Sequence, residues 1–255
     1  MNVVLYRNGR SQSGGHSGGR WAMTERGRGQ VRRDAQRLQI GPSAMHWHGE
    51  HLRIELDEIA VPWPKRLRGS VTLHAPQRFG SAYQLAPQHH WWPIAPAARV
   101  EVDLGALRWS GPGYLDANFG DAPLEQTFRR WDWSRAHLSG GRSAVFYDVD
   151  RLDGSALRLG VCFQPDGRTV ALDGPPVAAL PGTGWRVARR ARADAGTPAR
   201  VLRTLTDAPF YARSLLSTRW LGEPVTAMHE SLSLTRFDSP WVQAMLPFRM
   251  PRVAG

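Results

Sequence analysis

A mainly β fold, built from antiparallel barrels or sandwiches, is what this sequence predicts, and three observations predict it. Short segments that alternate apolar and polar residues recur along nearly the whole chain. Turn signals such as LDGS (152–155) and QPDGR (164–168) separate them. Segments suited to a helix are few and short, as in all-β architectures.

The elements follow in order. NVVLY (2–6), RWAMTER (20–26) and AMHWHG (44–49) read as the first strands. Between them SQSGGHSGGR (11–20) reads as a Gly-rich hairpin tip. It is no phosphate cradle, for it lacks the Lys-Ser/Thr ending and a following helix. HLRIELDEI (51–59) sets Leu52, Ile54 and Leu56 against polar partners, the period of a half-buried strand. RLRGSVTLH (66–74), ARVEVDL (98–104), LRWSG (107–111), RRWDWSRAHL (129–138) and SAVFYDV (143–149) continue the pattern. ALRLGVCF (156–163), RTVALDG (168–174), GWRVARRARA (184–193) and ARVLRTLT (199–206) complete it. Two helices are expected, in PLEQTFRR from Pro123 and in PFYARSLLSTRW (209–220). The Gly-Pro-Gly of 111–113 is a strong break and sets a domain boundary near residue 112, giving units 1–112 and 113–255.

At 255 residues and 42% apolar content the chain can bury one large or two smaller cores. No apolar run reaches the roughly 18–20 residues of a spanning helix. MNVVLYRNGRSQSGG lacks the apolar stretch of a secretory signal. Cys162 is alone, so an internal disulfide is excluded and a Cys-based metal site is not expected. These features point to a soluble or peripheral protein on the cytoplasmic side. The net charge of +11 is nearly all Arg, with Lys65 the single Lys. It is scattered, and its densest runs, around Arg32–Arg33 and in 185–194, alternate with apolar residues. A solvated surface is the first reading, attraction to an anionic membrane the second, and nucleic acid the last.

The chemistry concentrates in GYLDANFGDAPLEQTFRRWDWSRAH (113–137), where four carboxylates meet five large aromatic residues. On an extended chain Tyr114, Asp116 and Asn118 share one face, as do Trp131 and Trp133. HHWWPIAP (89–96) adds His89, His90, Trp91 and Trp92 ahead of a Pro-set bend. A carboxyl among aromatics is held protonated by burial and can act as an acid. Indole and phenol faces stabilise a cation. Together these suit protonation of an alkene. The structural alternative is an Asp that caps a turn among core aromatics. His46 and His48 flank Trp47, but neither His pair has the spacing of HExxH or a zinc finger, so no metal is expected. No GxSxG elbow is present, and Cys162 sits in an apolar run as an inert thiol.

Long stretches also carry a resemblance. GYLDANFGDAPLEQTFRRWDWSRAHL (113–138) and HESLSLTRFDSPWVQAMLPFRMPR (229–252) closely resemble the carotenoid 1,2-hydratase family, also called hydroxyneurosporene synthases. RGRGQVRRDAQRLQIGPSAMHWHGEHLRIELDE and HHWWPIAPAARVEVDL are similar to it too, so the resemblance covers nearly the whole chain. It implies a lipocalin-like fold of two packed antiparallel β-barrel-like units. It implies addition of water to the terminal C1=C2 bond of acyclic carotenes such as neurosporene and lycopene, without a cofactor, in phototrophic bacteria. The family's His-x-Trp matches His90 and Trp92, with His89 and Trp91 as a competing register. Its Tyr-x-Asp matches Tyr114 and Asp116. On this reading Asp116 is the acid, Trp92 and Tyr114 stabilise the cation, and His90 orients water or sets the proton of Asp116. Trp131, Trp133, Asn118, His89 and Trp91 would line the substrate. Relatives usually carry a further N-terminal segment before the part that resembles NVVLY, so the expectation is either a start assigned too late or a shortened member whose first unit lacks its first strand. The implied partners are an acyclic carotenoid and a membrane surface, peripherally contacted, and no nucleic acid. The alternative is a non-catalytic lipocalin-like carrier of a long apolar ligand; a cyclase of the same broad fold stands third.

Overall fold

A computed structural model describes residues 1–6, 20–60, 64–249 and 252–253; most of the 11–20 hairpin tip lies outside them. The protein is mainly β, and it divides into two compact units that interleave in sequence. One unit holds residues 1–76, 98–114 and 244–255, the other 77–97 and 115–243. The change-over thus falls at several points of the chain as well as near the Gly-Pro-Gly expected to separate two halves.

In the first unit β1 (Asn2–Leu5) pairs with β2 (Arg20–Met23), and β3 (Glu25–Arg26) follows. β4 (Val31–Arg33), β5 (Arg37–Ile40), β6 (Ser43–His48), β7 (His51–Ile59) and β8 (Arg66–His74) form a meander. β9 (Tyr83–Ala86) belongs to the second unit. The long strands β10 (His89–Asp103) and β11 (Arg108–Gly120) complete the sheet order β11-β10-β8-β7-β6-β5-β4, with β9 on the start of β10. The sheet is open among the described residues, not closed into the barrel expected. β7 keeps the alternation read from its sequence: Leu52 and Leu56 are buried, and Glu58 continues their face. Glu58 is 1% exposed, yet it is satisfied. It accepts from Ser43 Oγ at 2.7 Å, Thr24 Oγ1 at 3.0 Å and Arg26 Nη2 at 2.9 Å. A buried carboxylate needs such donors to offset its lost hydration.

Two expected breaks are absent. The Gly-Pro-Gly lies inside β11. Gly113 is there because β10 passes too close for a side chain: a Cβ would lie 2.5 Å from Val100 Cγ1 and 3.4 Å from the backbone of Arg99 and Val100. Gly113→Val is therefore expected to cost about 1–3 kcal/mol by overpacking, read as a lower denaturant midpoint; unchanged stability would show that the strands separate freely. Likewise HHWWPIAP makes no bend but opens β10. Pro93 and Pro96 fall between the residues laddered to β9 (His89–Trp91) and those laddered to β8 (Arg99–Asp103), so a missing N–H breaks neither ladder.

The second unit is built on β12 (Phe128–His137), β13 (Ser143–Arg151), β14 (Ala156–Phe163) and β15 (Thr169–Ala171). The hairpin β16 (Val177–Leu180) and β17 (Arg189–Arg192) comes next, then β18 (Arg200–Asp207), β19 (Tyr211–Trp220) and β20 (Glu223–Ser233). The sheet order is β15-β14-β13-β12-β20-β19-β18. The chain ends with α1 (Leu234–Phe237), α2 (Pro240–Arg249) and β21 (Arg252–Val253), which pairs with β3. The helix expected over 209–220 is strand β19. Its buried and open positions alternate with period two, and its full-length ladder to β20 overrides a helix-compatible composition. PLEQTFRR holds only a 3₁₀ turn at Leu124–Gln126 before β12 begins.

One face of this sheet carries the apolar core, with Phe146, Cys162, Leu216, Trp220 and Ala227 packed with Leu180 and Ala191 of the β16–β17 hairpin. Trp220 meets Phe146 edge-on at 4.9 Å and donates its N–H to the carbonyl of Arg192 at 2.7 Å. The same hairpin brings arginines to a row of aspartates. Arg192 grips Asp148 through Nε at 2.9 Å and Nη2 at 2.6 Å. Arg190 bonds both Asp132 at 3.0 Å and Asp150 at 2.8 Å. Part of the basic charge, read from the sequence as a solvated surface, is thus internal and paired. Beside it His229, fully buried, lies 2.7 Å from Ser134 Oγ and 3.0 Å from Ser231 Oγ.

Burial holds His229 down at about 4, and the nearby Asp132 only partly opposes this. An unfolded histidine takes its proton near pH 6.5. Between those values the unfolded chain binds the extra proton, so stability falls as the pH drops from about 6.5 toward about 4. The expected slope from this residue is at most about 1.4 kcal/mol per pH unit. Denaturant unfolding at several pH values would show it, and His229→Gln should reduce the slope, leaving the part due to His137, which burial also lowers to about 4; an equal slope in that variant excludes His229 as a source.

Candidate functional site

The other face of the second unit's sheet is aromatic. Trp131 and Trp133 share it, because they alternate with Asp132, which faces Arg190 on the opposite side of the sheet. Trp133 lies opposite Tyr147 on one side and Glu230 on the other. Trp133 is 8% exposed and Tyr147 2%. At the edge Glu230 accepts from Arg213 Nε at 2.9 Å. Aromatic contacts then run in an arc. His89 meets Phe128 at 4.8 Å, Phe128 meets Trp131 at 5.7 Å, and Trp131 meets Tyr147 at 5.9 Å. Tyr147 meets Trp91 at 5.6 Å, edge to face. Trp91 is fully buried, with Tyr83 at 5.4 Å and Phe163 at 6.4 Å on its other sides.

Asp116 enters this arc. The Trp91 indole N–H donates to Asp116 Oδ2 at 2.8 Å. An indole can only donate, so the bond orients the carboxyl in either protonation state. Asp116 is itself half-buried on β11. Two residues on, Asn118 Oδ1 accepts from the Tyr147 hydroxyl at 3.5 Å, at the long limit for such a bond. Burial above all, then Asp116 and Glu230 where these are ionised, pushes the Tyr147 phenol well above its ordinary range. Tyr147 is therefore a neutral donor beside the carboxyl.

The structure thus joins Trp91, Asp116, Asn118 and Trp131, and adds Tyr147. His90 and Trp92 are elsewhere. They alternate with Trp91 along β10 and project from its other side. His90 stacks on Phe119 at 5.3 Å and 12°, and Phe119 in turn alternates with Asn118 on β11. The Trp92 N–H is engaged by the carbonyl of Phe79 at 2.6 Å. His89 is buried and lies 3.1 Å from Thr127 Oγ1; burial lowers its pKa, which keeps the ring neutral near pH 7. Tyr114 is half-buried two residues before Asp116. Tyr147 went unnoticed in the sequence because SAVFYDV reads as an ordinary core strand. Its signal was a lone phenol directly after the apolar run Ala144–Phe146.

The family model for carotenoid hydratase CrtC matches residues 2–255. The chain is 49% identical over 260 residues to an acyclic carotenoid 1,2-hydratase of Thiocapsa roseopersicina and 45% identical over 259 residues to one of Rubrivivax gelatinosus. All of this chain is matched in both, and it spans 62% of each relative's length. It is 42% identical over 242 residues to an acyclic carotenoid 1,2-hydratase of Cereibacter sphaeroides, covering 93% of this chain and 86% of that one. In fold it is similar to the crystal structure of an AttH protein from Nitrosomonas europaea, with a TM-score of 0.56 at 12% identity over 80% of this chain and 72% of the other.

Proposed function

Since the chain belongs to the carotenoid hydratase CrtC family, we propose that it adds water across the terminal C1=C2 bond of an acyclic carotene such as lycopene or neurosporene. The reaction gives a tertiary 1-hydroxy product. The observation that carries the proposal is the carboxyl of Asp116, held by the Trp91 indole within an arc of aromatic rings.

The steps balance without a further reagent. Asp116, protonated, transfers its proton to C2 and becomes a carboxylate. The π electrons form the C2–H bond and leave a tertiary cation at C1. Indole and phenol faces stabilise such a cation by electrostatic attraction to the ring; Trp131 and Tyr147 are the candidates in the arc, with Tyr114, on the strand of Asp116, as a further candidate, whereas Trp92 projects from the other side of β10. Water adds at C1 and its proton returns to a base. We assign that base to the Asp116 carboxylate left by the first step, because His90 projects from the other side of β10. One carboxyl then serves both halves of the reaction. Asn118, carrying the Tyr147 hydrogen bond, is suited to hold the water. Trp133 and His89 shape the arc around it. No cofactor enters these steps.

The reading places the chain where its substrate dissolves, at a membrane surface. It is tested by expressing the chain in cells that make lycopene and identifying the pigments by mass. A product heavier by one water supports the hydratase. Bound but unchanged carotene would transfer the site to a carrier role, and an isomer of equal mass would mean cyclisation.

A further inference from the structure

The apolar stretch WVQAMLPF (241–248) folds into α2, and its large side chains point outward. Trp241 is 46% exposed, Met245 38% and Phe248 88%, whereas Val242 is 1% exposed and anchors the helix. Spacings of four and three residues put Trp241, Met245 and Phe248 on one stripe. The stripe extends beyond the helix. Trp185, 40% exposed, stacks on Trp241 at 6.3 Å with the rings 24° apart. Its loop is braced from both sides. The Gly184 N–H donates to Asp207 Oδ2 at 2.7 Å, and Arg236 Nη1 donates to the Trp185 carbonyl at 2.7 Å. Two tryptophans are thus held in the open by bonded backbone. Exposed Arg186 adjoins Trp185, and Arg236 lies just before α2; the acids near them are Asp207, which holds the loop, and exposed Asp238.

We propose that α2 and the Trp185 loop dock on the surface of a bilayer that contains anionic lipid. Trp185 and Trp241 sit at headgroup level, where amphipathic rings concentrate. Met245 and Phe248 enter the acyl boundary, as the apolar side of an interfacial helix does. Arg186 and Arg236 face lipid phosphates, and the chain's net charge of +11 complements an anionic surface. A bilayer is favoured over a second copy of the chain because the aromatic anchors sit on a chain of net charge +11, which two identical copies would bring into repulsion. The choice of lipid as occupant rests on the carotenoid reading, since such a substrate resides in lipid.

The test is flotation of the full chain with vesicles of phosphatidylcholine alone or mixed with phosphatidylglycerol. Binding is expected to the mixed vesicles, falling with added salt, with a blue shift of tryptophan emission. Phe248→Ser and Trp241→Ser together should weaken it at least about tenfold. Both residues are exposed, and Phe248→Ser alone serves as the milder variant, with circular dichroism to check folding. Wild-type binding in the variants, or none by the wild type, overturns the proposal. So does a concentration-dependent dimer that the variants abolish while vesicles are ignored. Hydration assays separate this proposal from the catalytic one. Variants that hydrate detergent-dispersed carotene but not vesicle-held carotene support docking. A wild type that binds vesicles yet hydrates neither overturns the hydratase reading alone.

Discussion

Asp116→Asn is expected to lower hydration of an acyclic carotene by about 10²–10⁴-fold, the range in which a positioned acid acts, with folding and carotene binding retained. The substitution is close to isosteric. An amide oxygen can still accept the Trp91 N–H that orients Asp116 Oδ2 at 2.8 Å, but the amide cannot deliver the proton. Two companions locate the chemistry. Trp91→Phe keeps a ring among Tyr83, Tyr147 and Phe163 and removes the donor together with the five-membered ring that carries it. Its expected effect is smaller, about tenfold in kcat, from a less fixed carboxyl. His90→Ala should change kcat little, since its ring stacks on Phe119 and projects away from Asp116. The readout is product formed per protein from dispersed lycopene. Full activity of Asp116→Asn would remove the acid from this residue. A loss in His90→Ala as deep as that in Asp116→Asn would restore a histidine base and end the single-carboxyl account.

Asp148→Ala is expected to destabilise the protein by about 3–5 kcal/mol, the cost of leaving a buried charge without its partner. Asp148 is 4% exposed, and Arg192 is 9% exposed. Arg192 bonds it through both Nε and Nη2, and that pair ties the β16–β17 hairpin to the sheet. Without the carboxylate the guanidinium retains the carbonyl of Pro175 at 2.8 Å but no counter-charge at this position. Urea unfolding measures the loss. Replacing both partners, Asp148→Leu with Arg192→Met, should recover most of it, because apolar groups of similar volume need no hydration. A single-variant loss below about 1 kcal/mol would mean that water reaches the pair and that it behaves as a surface bridge.

How much of this was legible beforehand differs by element. β7 and β8 have the bounds expected for them, because their alternation and flanking turns are local properties. Cys162 is buried, and burial raises its thiol pKa, as its apolar run implied. The crowding of Asp116 with aromatics was visible as composition. Which residues meet was not. Trp91 and Trp92 are neighbours in the chain, and a one-residue change of register exchanges the faces of a strand. That choice is made by the pairing of β9 with β10, where the register shifts between His89 and His90. The aspartates of β12 and β13 gave no sign of their partners, since β17 reaches them from some forty or more residues away. Nor could Gly113 be read as a point of close approach rather than a break, because the atom that excludes a Cβ belongs to Val100 on another strand.

Class, therefore, was determined by the sequence itself: period-two alternation and turn chemistry act between neighbours, and they specify strands whatever the rest of the chain does. The arrangement of the site was decided only by tertiary structure. Register, strand continuity through Gly and Pro, and the pairing of buried charges depend on groups that folding brings together from distant positions, and long-range pairing carries no local signal.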